Sequence, residues 1–279
     1  MLKINDLAFS YSGTCCKVFN DFSLEFEKGA VYGLLGLNGT GKSTLLYLIT
    51  GLLHPQQGTV LYKGEDVRRR LPSTLSDMYI VPEEFELPSM TMKHYVKLNA
   101  PFYPNFSEEQ LKQNLALFDF DENIYLGNLS MGQKKKAYMC FALAANTSLL
   151  VMDEPTNGLD IPSKSEFRRL IASNMTDEKS IIISTHQVRD IDSLLDHIVI
   201  IDQSSVLLNA SSNEICRRLL FTEQPISEPT DGALFVHPSV AGNNVILPNE
   251  FDEESRLNLE LLFNGVLAER ERFTELFNV

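Results

Sequence analysis

The chain has 279 residues, 44% of them hydrophobic, and a formal net charge of −13 at pH 7. This length accommodates one large domain or two modest ones, with enough apolar residues for a packed core. Proteins whose main partner is nucleic acid usually carry a basic face, so the acidic balance argues against that class.

The sequence contains neither an obvious membrane span nor a secretory leader. Apolar runs such as residues 149–152 and 181–183 have the length of strands, and none approaches the length of a membrane span. Residues 1–6 lack the shape of a signal peptide. Cys15, Cys16, Cys140 and Cys216 form no C-x-x-C pair, and the adjacent pair is most simply read as reduced thiols. We therefore expect a soluble protein, in which any membrane role requires another chain.

The first thirty residues alternate between apolar and polar side chains. This pattern predicts strands at residues 2–4, 7–11 and 22–26, with a further strand at 58–62. Together they indicate a small antiparallel sheet beside the main core.

A phosphate-binding loop follows an apolar strand predicted at residues 31–35. The segment reads Gly-Leu-Asn-Gly-Thr-Gly-Lys-Ser-Thr and matches the pattern G-x-x-x-x-G-K-[ST]. Glycines let the backbone amides approach a polyphosphate, and the helix that begins near the lysine adds its positive end. The lysine brings a charge to the outer phosphates, and the serine hydroxyl is placed to ligate magnesium. The predicted binding residues here are Gly36, Asn38, Gly39, Thr40, Gly41, Lys42, Ser43 and Thr44.

The rest of the core is predicted to be a parallel sheet. Its strands are residues 31–35, 78–81, 149–152, 181–184 and 197–201. Residues 84–145, with prolines at 88, 101 and 104 and a helical pattern at 108–118, are predicted to form a mainly helical insertion. The fold class is therefore α/β: a P-loop NTPase core with a parallel sheet, an antiparallel β subdomain, a helical subdomain and a C-terminal extension.

Two adjacent carboxylates end the apolar strand at 149–152. Asp153 and Glu154 are costly at such a position unless a cation lies nearby, and a magnesium–nucleotide complex supplies one. Asp153 would hold the metal, and Glu154 would act as general base on the attacking water. The alternative is a solvated strand end.

The tail of the chain has a different composition. Residues 204–279 contain twelve Asp and Glu against five Lys and Arg, a net charge of −7. Helices are predicted at 257–263 and 267–277. We expect one unit at residues 1–205 and an acidic extension or accessory domain at 206–279, whose role the sequence leaves open.

Leu129-Ser130-Met131-Gly132-Gln133 resembles the signature sequence of ATP-binding-cassette ATPases, usually written LSGGQ. The same residues also form a capping box, Ser130-x-x-Gln133, which explains the serine and the glutamine without a ligand. A capped helix start is itself an anion site, so the two interpretations are compatible.

Further motifs occur in the order of that family, and the chain resembles the nucleotide-binding subunit of an ATP-binding-cassette (ABC) transporter over residues 1–205. Tyr11 matches the aromatic residue that stacks on adenine, although it could be an ordinary strand aromatic. Glu83 stands at the position of the Q-loop glutamine. Asp160 in Asn157-Gly158-Leu159-Asp160 matches the D-loop, or caps the next helix. His186 matches the switch histidine.

Two positions depart from the family pattern. Met131 replaces the first glycine of the signature, where its side chain could point away from the phosphate. Glu83 adds a negative charge beside Asp153 and Glu154, where the family has a neutral amide. We expect a tighter dependence on magnesium, or a proton retained by one of these acids.

The resemblance implies an ATPase that requires ATP and Mg²⁺, with Glu154, His186 and Glu83 in catalysis and Ser43, Glu83 and Asp153 at the metal. It also implies a head-to-tail dimer with a second copy or a homologous ATPase subunit. In such a dimer Ser130, Gly132 and Gln133 of one chain complete the nucleotide site of the other.

The second implied partner is a separate transmembrane permease, which would place the chain peripherally on the cytoplasmic face of the membrane. Phe85, Leu87 and Met90 would either seat a helix of that partner or pack within the helical insertion. The basic runs 68–70 and 134–136 are expected to be solvated surface, with no nucleic acid bound.

The favoured function is to power an exporter-like transporter through ATP-driven dimer closure. The alternative is a soluble, non-transport ABC ATPase acting on a macromolecular complex. The acidic charge and the single phosphate loop disfavour that alternative. The sequence leaves the substrate and the direction of transport open.

Overall fold

The computed structural model describes residues 1–13, 17–225, 227–230, 232–240, 242–251 and 253–277. Cys15 and Cys16 lie outside these ranges. In chain order the strands are β1 (Leu2–Phe9), β2 (Phe19–Phe26), β3 (Val31–Leu35), β4 (Gln57–Tyr62), β5 (Glu65–Asp66), β6 (Met78–Val81), β7 (Leu149–Asp153), β8 (Ser180–Thr185), β9 (His197–Asp202), β10 (Ser205–Ser211), β11 (Leu219–Gln224), β12 (Phe235–Pro238) and β13 (Asn243–Pro248). The α-helices are α1 (Lys42–Ile49), α2 (Pro72–Leu75), α3 (Met92–Asn99), α4 (Glu108–Ala116), α5 (Met131–Ala144), α6 (Ile161–Asn174), α7 (Ser212–Arg218), α8 (Leu259–Ala268) and α9 (Arg270–Phe277).

The predicted antiparallel sheet is present, in the order β2-β1-β4-β5. The two strands expected at 2–4 and 7–11 form the single strand β1. Its pairing with β2 shifts register between Ile4 and Leu7, where Asp6 has a φ of 48°. The chain therefore crosses the polar interruption through a bulge rather than a turn.

The main sheet has six strands in the order β10-β9-β3-β8-β7-β6. Five of them are parallel, as predicted, and β10 pairs antiparallel with β9. Every residue of β3, β7 and β8 is buried, as expected for parallel strands covered on both faces. Because these strands are parallel neighbours, their carboxyl ends meet at one edge of the sheet.

The segment between β6 and β7 is mainly helical and carries α3, α4 and α5. The helix predicted at 108–118 is α4, which Ser107 caps by accepting a hydrogen bond from the amide of Gln110. Aromatic rings around Phe141 fill the centre of this region.

The main sheet continues past the boundary expected at residue 205, because β10 runs to Ser211. Beyond it lies a three-stranded antiparallel sheet, β11-β13-β12, followed by α8 and α9. These two helices correspond to the helices predicted at 257–263 and 267–277. Phe273 and Phe277 of α9 are buried in the same apolar cluster as the helical region and one face of the main sheet. Among the described residues, no helix combines the length and apolar character needed to cross a membrane.

Candidate nucleotide-binding site

The loop between β3 and α1 has the geometry of a phosphate cradle. Gly39 and Gly41 have φ values of 83° and 100°, which glycine adopts without strain. A Cβ atom at Gly36 would lie 2.6 Å from the carbonyl oxygen of Ile201, so that position also requires glycine. The loop thus presents backbone amides at the N-terminus of α1, where an anion is favoured.

Lys42 closes the loop from one side. Its Nζ donates hydrogen bonds to the carbonyl oxygens of Gly36 at 2.9 Å and Leu37 at 3.0 Å. Burial lowers the pKa of this lysine, while the nearby Glu154 and Asp153 carboxylates act in the opposite direction. The ammonium group therefore lies between the loop backbone and the acidic residues.

The loop opens into a cavity of about 610 Å³. It is lined by Tyr11, Val18, Asn38, Gly39, Gly41, Lys42, Ser43, Thr44, Glu83, Glu154, Asn157 and His186. All of these except Val18 and Asn157 are residues to which the sequence assigns a site role. Thr40 instead supports the loop from within, since its Oγ1 donates to the carbonyl oxygen of Leu37 at 2.8 Å.

Tyr11 stands at the wall of this cavity. Its hydroxyl lies 3.0 Å from Oγ1 of Thr44, and its ring meets the Phe9 ring edge-on at a centroid distance of 5.1 Å. These contacts fix the ring while 43% of the residue remains exposed. A partly exposed aromatic ring thus lies beside the phosphate loop.

The carboxylates at the end of β7 are buried and separately held. Asp153 is 2% exposed, and its Oδ1 accepts a hydrogen bond of 2.5 Å from the Ser184 hydroxyl. Glu154 is 5% exposed and has a φ of 45°, an uncommon conformation for a residue other than glycine. The backbone turn therefore directs its carboxylate into the cavity, away from the path of the strand. A solvated strand end does not fit this burial.

Glu154 is held by the end of β8. Its Oε2 accepts from Thr185 Oγ1 at 3.1 Å, and its Oε1 accepts from the backbone amide of His186 at 3.0 Å. Oε1 also lies 2.7 Å from Nδ1 of His186. The carboxylate and the imidazole thus form one unit at the edge of the sheet.

Glu83 enters the cavity from the end of β6. Its Oε1 accepts a hydrogen bond of 2.9 Å from Nδ2 of Asn157. Asn157 is the site residue that the sequence named within a motif but gave no role. The sequence signal for this role was an amide side chain in the loop that follows Asp153 and Glu154. Such a side chain can donate a hydrogen bond to a third acid, here Glu83.

The expectation that residues 134–136 are solvated is wrong for Lys135. This lysine is 4% exposed, and its Nζ donates to the carbonyl oxygens of Glu154 at 3.1 Å and Asn157 at 3.0 Å. Its helix directs it inward, on the same face as the buried Met139 four residues later. That spacing was the sequence signal for its burial.

The remaining predicted residues lie apart from the cavity. Ser130 and Gln133 form the capping box at the start of α5, with the amide of Gln133 donating to Ser130 Oγ at 3.3 Å. The Met131 side chain is exposed, consistent with its pointing outward. Asp160 caps α6 by accepting from the amide of Ser163 at 2.9 Å.

Known proteins are similar to this chain in sequence and in fold. The sequence model of the ABC transporter family matches residues 19–157. The ABC transporter ATP-binding protein NatA of Bacillus subtilis (strain 168) is 31% identical over 199 residues, covering 68% of this chain and 80% of NatA. The chain belongs to the ABC transporter family. The lantibiotic transport ATP-binding protein SrtF of Streptococcus pyogenes is 29% identical over 225 residues, covering 75% of this chain and 90% of SrtF.

Solved structures show the same fold. An ATP-binding subunit of an ABC transporter superposes with a TM-score of 0.68 at 24% identity, over 78% of this chain and 92% of the other. The predicted family and fold class are confirmed, and this chain is an ABC ATPase of the kind that powers transport. The relatives described here carry transporter names, so they favour the transport function over the soluble alternative.

Proposed function

We propose that this chain binds ATP in the 610 Å³ cavity and hydrolyses it with Glu154 as general base, powering an exporter-like membrane transporter. The observation that carries the proposal is that the phosphate loop, Glu154 and His186 line one cavity. SrtF, named for lantibiotic transport, supports the transport assignment.

The geometry supports a division of labour among the residues. Lys42 and the loop amides bind the β- and γ-phosphates, and Tyr11 offers a ring for the base. Glu154, fixed by Thr185 and His186, is held ready to accept a proton from water beside the γ-phosphate. His186 both orients Glu154 and can reach the phosphate as a hydrogen-bond donor.

The donor set fits magnesium. Mg²⁺ prefers hard oxygen ligands and is commonly bound by one or two protein groups together with substrate phosphates. The Ser43 hydroxyl and the carboxylates of Asp153 and Glu83 supply such oxygens around Lys42. The described residues contain no cluster of three His, Cys, Asp or Glu side chains suited to holding a metal alone. When bound, the ion would neutralise phosphate charge.

The active form is a head-to-tail dimer with a second copy or a homologous subunit. Ser130 and Gly132 lie at a helix start outside their own chain's cavity, where they can serve the nucleotide of a partner. Large apolar side chains beside the motifs are exposed: Leu37 at 50%, Met131 at 59% and Ile161 at 83%. A partner subunit would cover them, and the γ-phosphate would favour that closed state.

The permease would dock in a groove between the core and the helical region. This groove has a volume of about 910 Å³, and its lining includes Tyr79, Tyr103 and Tyr138 together with the exposed Leu52 and Phe102. An amphipathic helix fits such a surface. Phe85 and Leu87 pack inside the helical region instead, with the Phe85 ring 4.6 Å from that of Tyr138. Docking there would place the chain on the cytoplasmic face of the membrane.

The test is Glu154→Gln. Because the amide cannot accept the proton, we expect ATP turnover to fall by about 10²- to 10⁴-fold while ATP binding is retained. Calorimetry measures binding, and size-exclusion chromatography with ATP and Mg²⁺ shows whether a dimer is trapped. Glu178→Gln, an exposed acid paired with Lys28, is the control and should behave like wild type. Undiminished turnover, or a monomer that persists with ATP, would contradict the proposal.

A further inference from the structure

Lys135 is a buried charge for which the mechanism above has no use. Its ammonium group is surrounded by the turn that follows β7 and donates to two carbonyl oxygens of that turn, those of Glu154 and Asn157. Glu83, Glu154 and Asp153 all favour its charged form, while burial lowers its pKa. A buried cation persists where such partners compensate it.

The turn that Lys135 holds carries backbone strain. A non-glycine residue in the left-handed region is strained and persists only where its surroundings fix it. For Glu154, whose φ is 45°, the backbone amide donates to the carbonyl oxygen of Ser184 at 3.0 Å. Lys135 fixes the other side of the same residue through its carbonyl oxygen. Together, the two contacts hold the backbone from which the carboxylate projects.

Lys135 reaches a second cavity residue through the same turn. The carbonyl oxygen of Asn157 accepts from Lys135, and the Asn157 side chain donates to Glu83. One ammonium group therefore anchors the backbone of two residues that line the nucleotide cavity.

The helix that carries Lys135 begins with the signature residues. Ser130 caps α5, and Lys135 lies five residues later, about 7.5 Å along the axis. The start of the helix also contacts the same turn, since a Cβ atom at Gly132 would lie 3.5 Å from the carbonyl oxygen of Gly158. The signature helix and the turn bearing Glu154 are thus joined at two points.

We infer that Lys135 is a positioning residue. It fixes the Glu154 carboxylate of its own chain to the signature helix α5, whose first residues bind the nucleotide of the partner chain. This inference rests on the proposed dimer. In that dimer, Ser130 contacts one ATP, and Glu154 accepts the proton of the water that attacks the other. A shift of α5 on closure at one site therefore moves Glu154 at the other, and Lys135 is the contact that carries this shift.

The test compares Lys135→Met with Lys135→Arg. Methionine keeps the length and apolar stem but removes the charge and donors, whereas arginine keeps both. Misplacing a catalytic group by about 1 Å can cost up to about 100-fold in rate. We expect K135M to lower kcat by about 10- to 100-fold, with the KM for ATP changed less than about threefold because the phosphate loop is untouched. Its Hill coefficient should fall towards 1, and K135R should recover most of kcat.

Lys134→Met is the matched control, because it removes the charge of the neighbouring, half-buried lysine on the same helix. Equal kcat and Hill coefficient in K135M and K134M would overturn the inference. If K135M does not fold, Lys135→Gln replaces it. This shorter side chain cannot reach both carbonyl oxygens, so full kcat and cooperativity in K135Q would equally overturn it. If the wild type neither binds nor hydrolyses ATP, the proposed function itself is overturned instead.

Discussion

At the level of single residues, Glu83 is the departure with the clearest chemical consequence. The glutamate adds a third carboxylate near Lys42, where Glu154 lines the same cavity and the neighbouring Asp153 is buried. Its Oε1 accepts a hydrogen bond from Asn157, and the residue lines the cavity. A third negative charge strengthens the attraction for a divalent cation.

Glu83→Gln should therefore weaken the apparent affinity for Mg²⁺. Losing about 1 kcal/mol of attraction would raise the Mg²⁺ concentration for half-maximal ATPase activity roughly three- to tenfold. The measurement is ATPase rate against Mg²⁺ at saturating ATP. Glu84→Gln, at the exposed neighbouring position, serves as control. Superimposable curves for wild type and E83Q would show that the third charge plays no part.

The site residues differ in how far the sequence could place them. Lys42, Glu154 and His186 were predictable because each stands at a fixed place in a motif at the end of a parallel strand. Lys135 was not recognised, because a run of three lysines suggests a solvated face. Only the helical spacing of four residues between Lys135 and the apolar Met139 indicates that this lysine points inward. The left-handed turn at Glu154 could not be predicted from the sequence either, because it results from a contact with β8, 30 residues later in the chain.

Among the secondary-structure elements, the junction between α5 and β8 depends on a second buried lysine. Lys179 precedes β8, and its Nζ donates to Asn146 Oδ1 at 3.1 Å and to the carbonyl oxygen of Leu143 at 3.4 Å. Burial lowers its pKa from 10.5 to about 8. The contact binds the end of the signature helix to the core sheet.

This lysine predicts a pH dependence of stability. Between pH 8 and the ordinary lysine pKa, the unfolded chain binds a proton that the folded chain has lost, so the free energy of unfolding rises with pH. From pH 8 to 9.5, below the ionisation of the buried tyrosines, the gain is up to about 2 kcal/mol. Denaturant unfolding of wild type and Lys179→Met across this range measures it. We expect K179M to lack this increment; parallel curves for the two proteins would contradict the assignment.

The β-strands illustrate what local pattern can and cannot predict. All five parallel strands were predictable, because continuous apolar runs bounded by polar motifs indicate buried strands. The addition of β10 was missed because the acidic composition from residue 204 onward suggested the start of a new unit. Its pairing with β9 depends on a two-residue turn at Gln203, whose φ is 45°.

For the whole molecule, the question is whether the C-terminal extension is independent of the ATPase core. Arg270 of α9 forms a 2.5 Å ion pair with the largely buried Asp202 at the end of β9. Phe273 is fully buried in the apolar cluster shared with the core. These contacts favour one cooperative unit over two.

Phe273→Ala should therefore destabilise the ATPase core together with the extension. Removing a buried phenylalanine costs about 3–5 kcal/mol. Calorimetry should show a single transition, stabilised by ATP, whose Tm falls in the variant. Phe251→Ala, at an aromatic residue 83% exposed on the same extension, should change stability by less than about 0.5 kcal/mol. Two transitions, with only the ATP-insensitive one lowered by F273A, would establish an independent domain.

The groove proposed to dock the permease can be tested by crosslinking. Phe102 is 69% exposed at the edge of the 910 Å³ groove, whereas Phe85 is partly buried against the helical region. A photoreactive phenylalanine analogue at Phe102 should therefore crosslink to a co-expressed permease, and the same analogue at the exposed Phe251 should not. Because the groove lies between the core and the helical region, a helix seated there would contact both. Crosslinking from Phe251 in place of Phe102 would move the docking surface to the C-terminal extension.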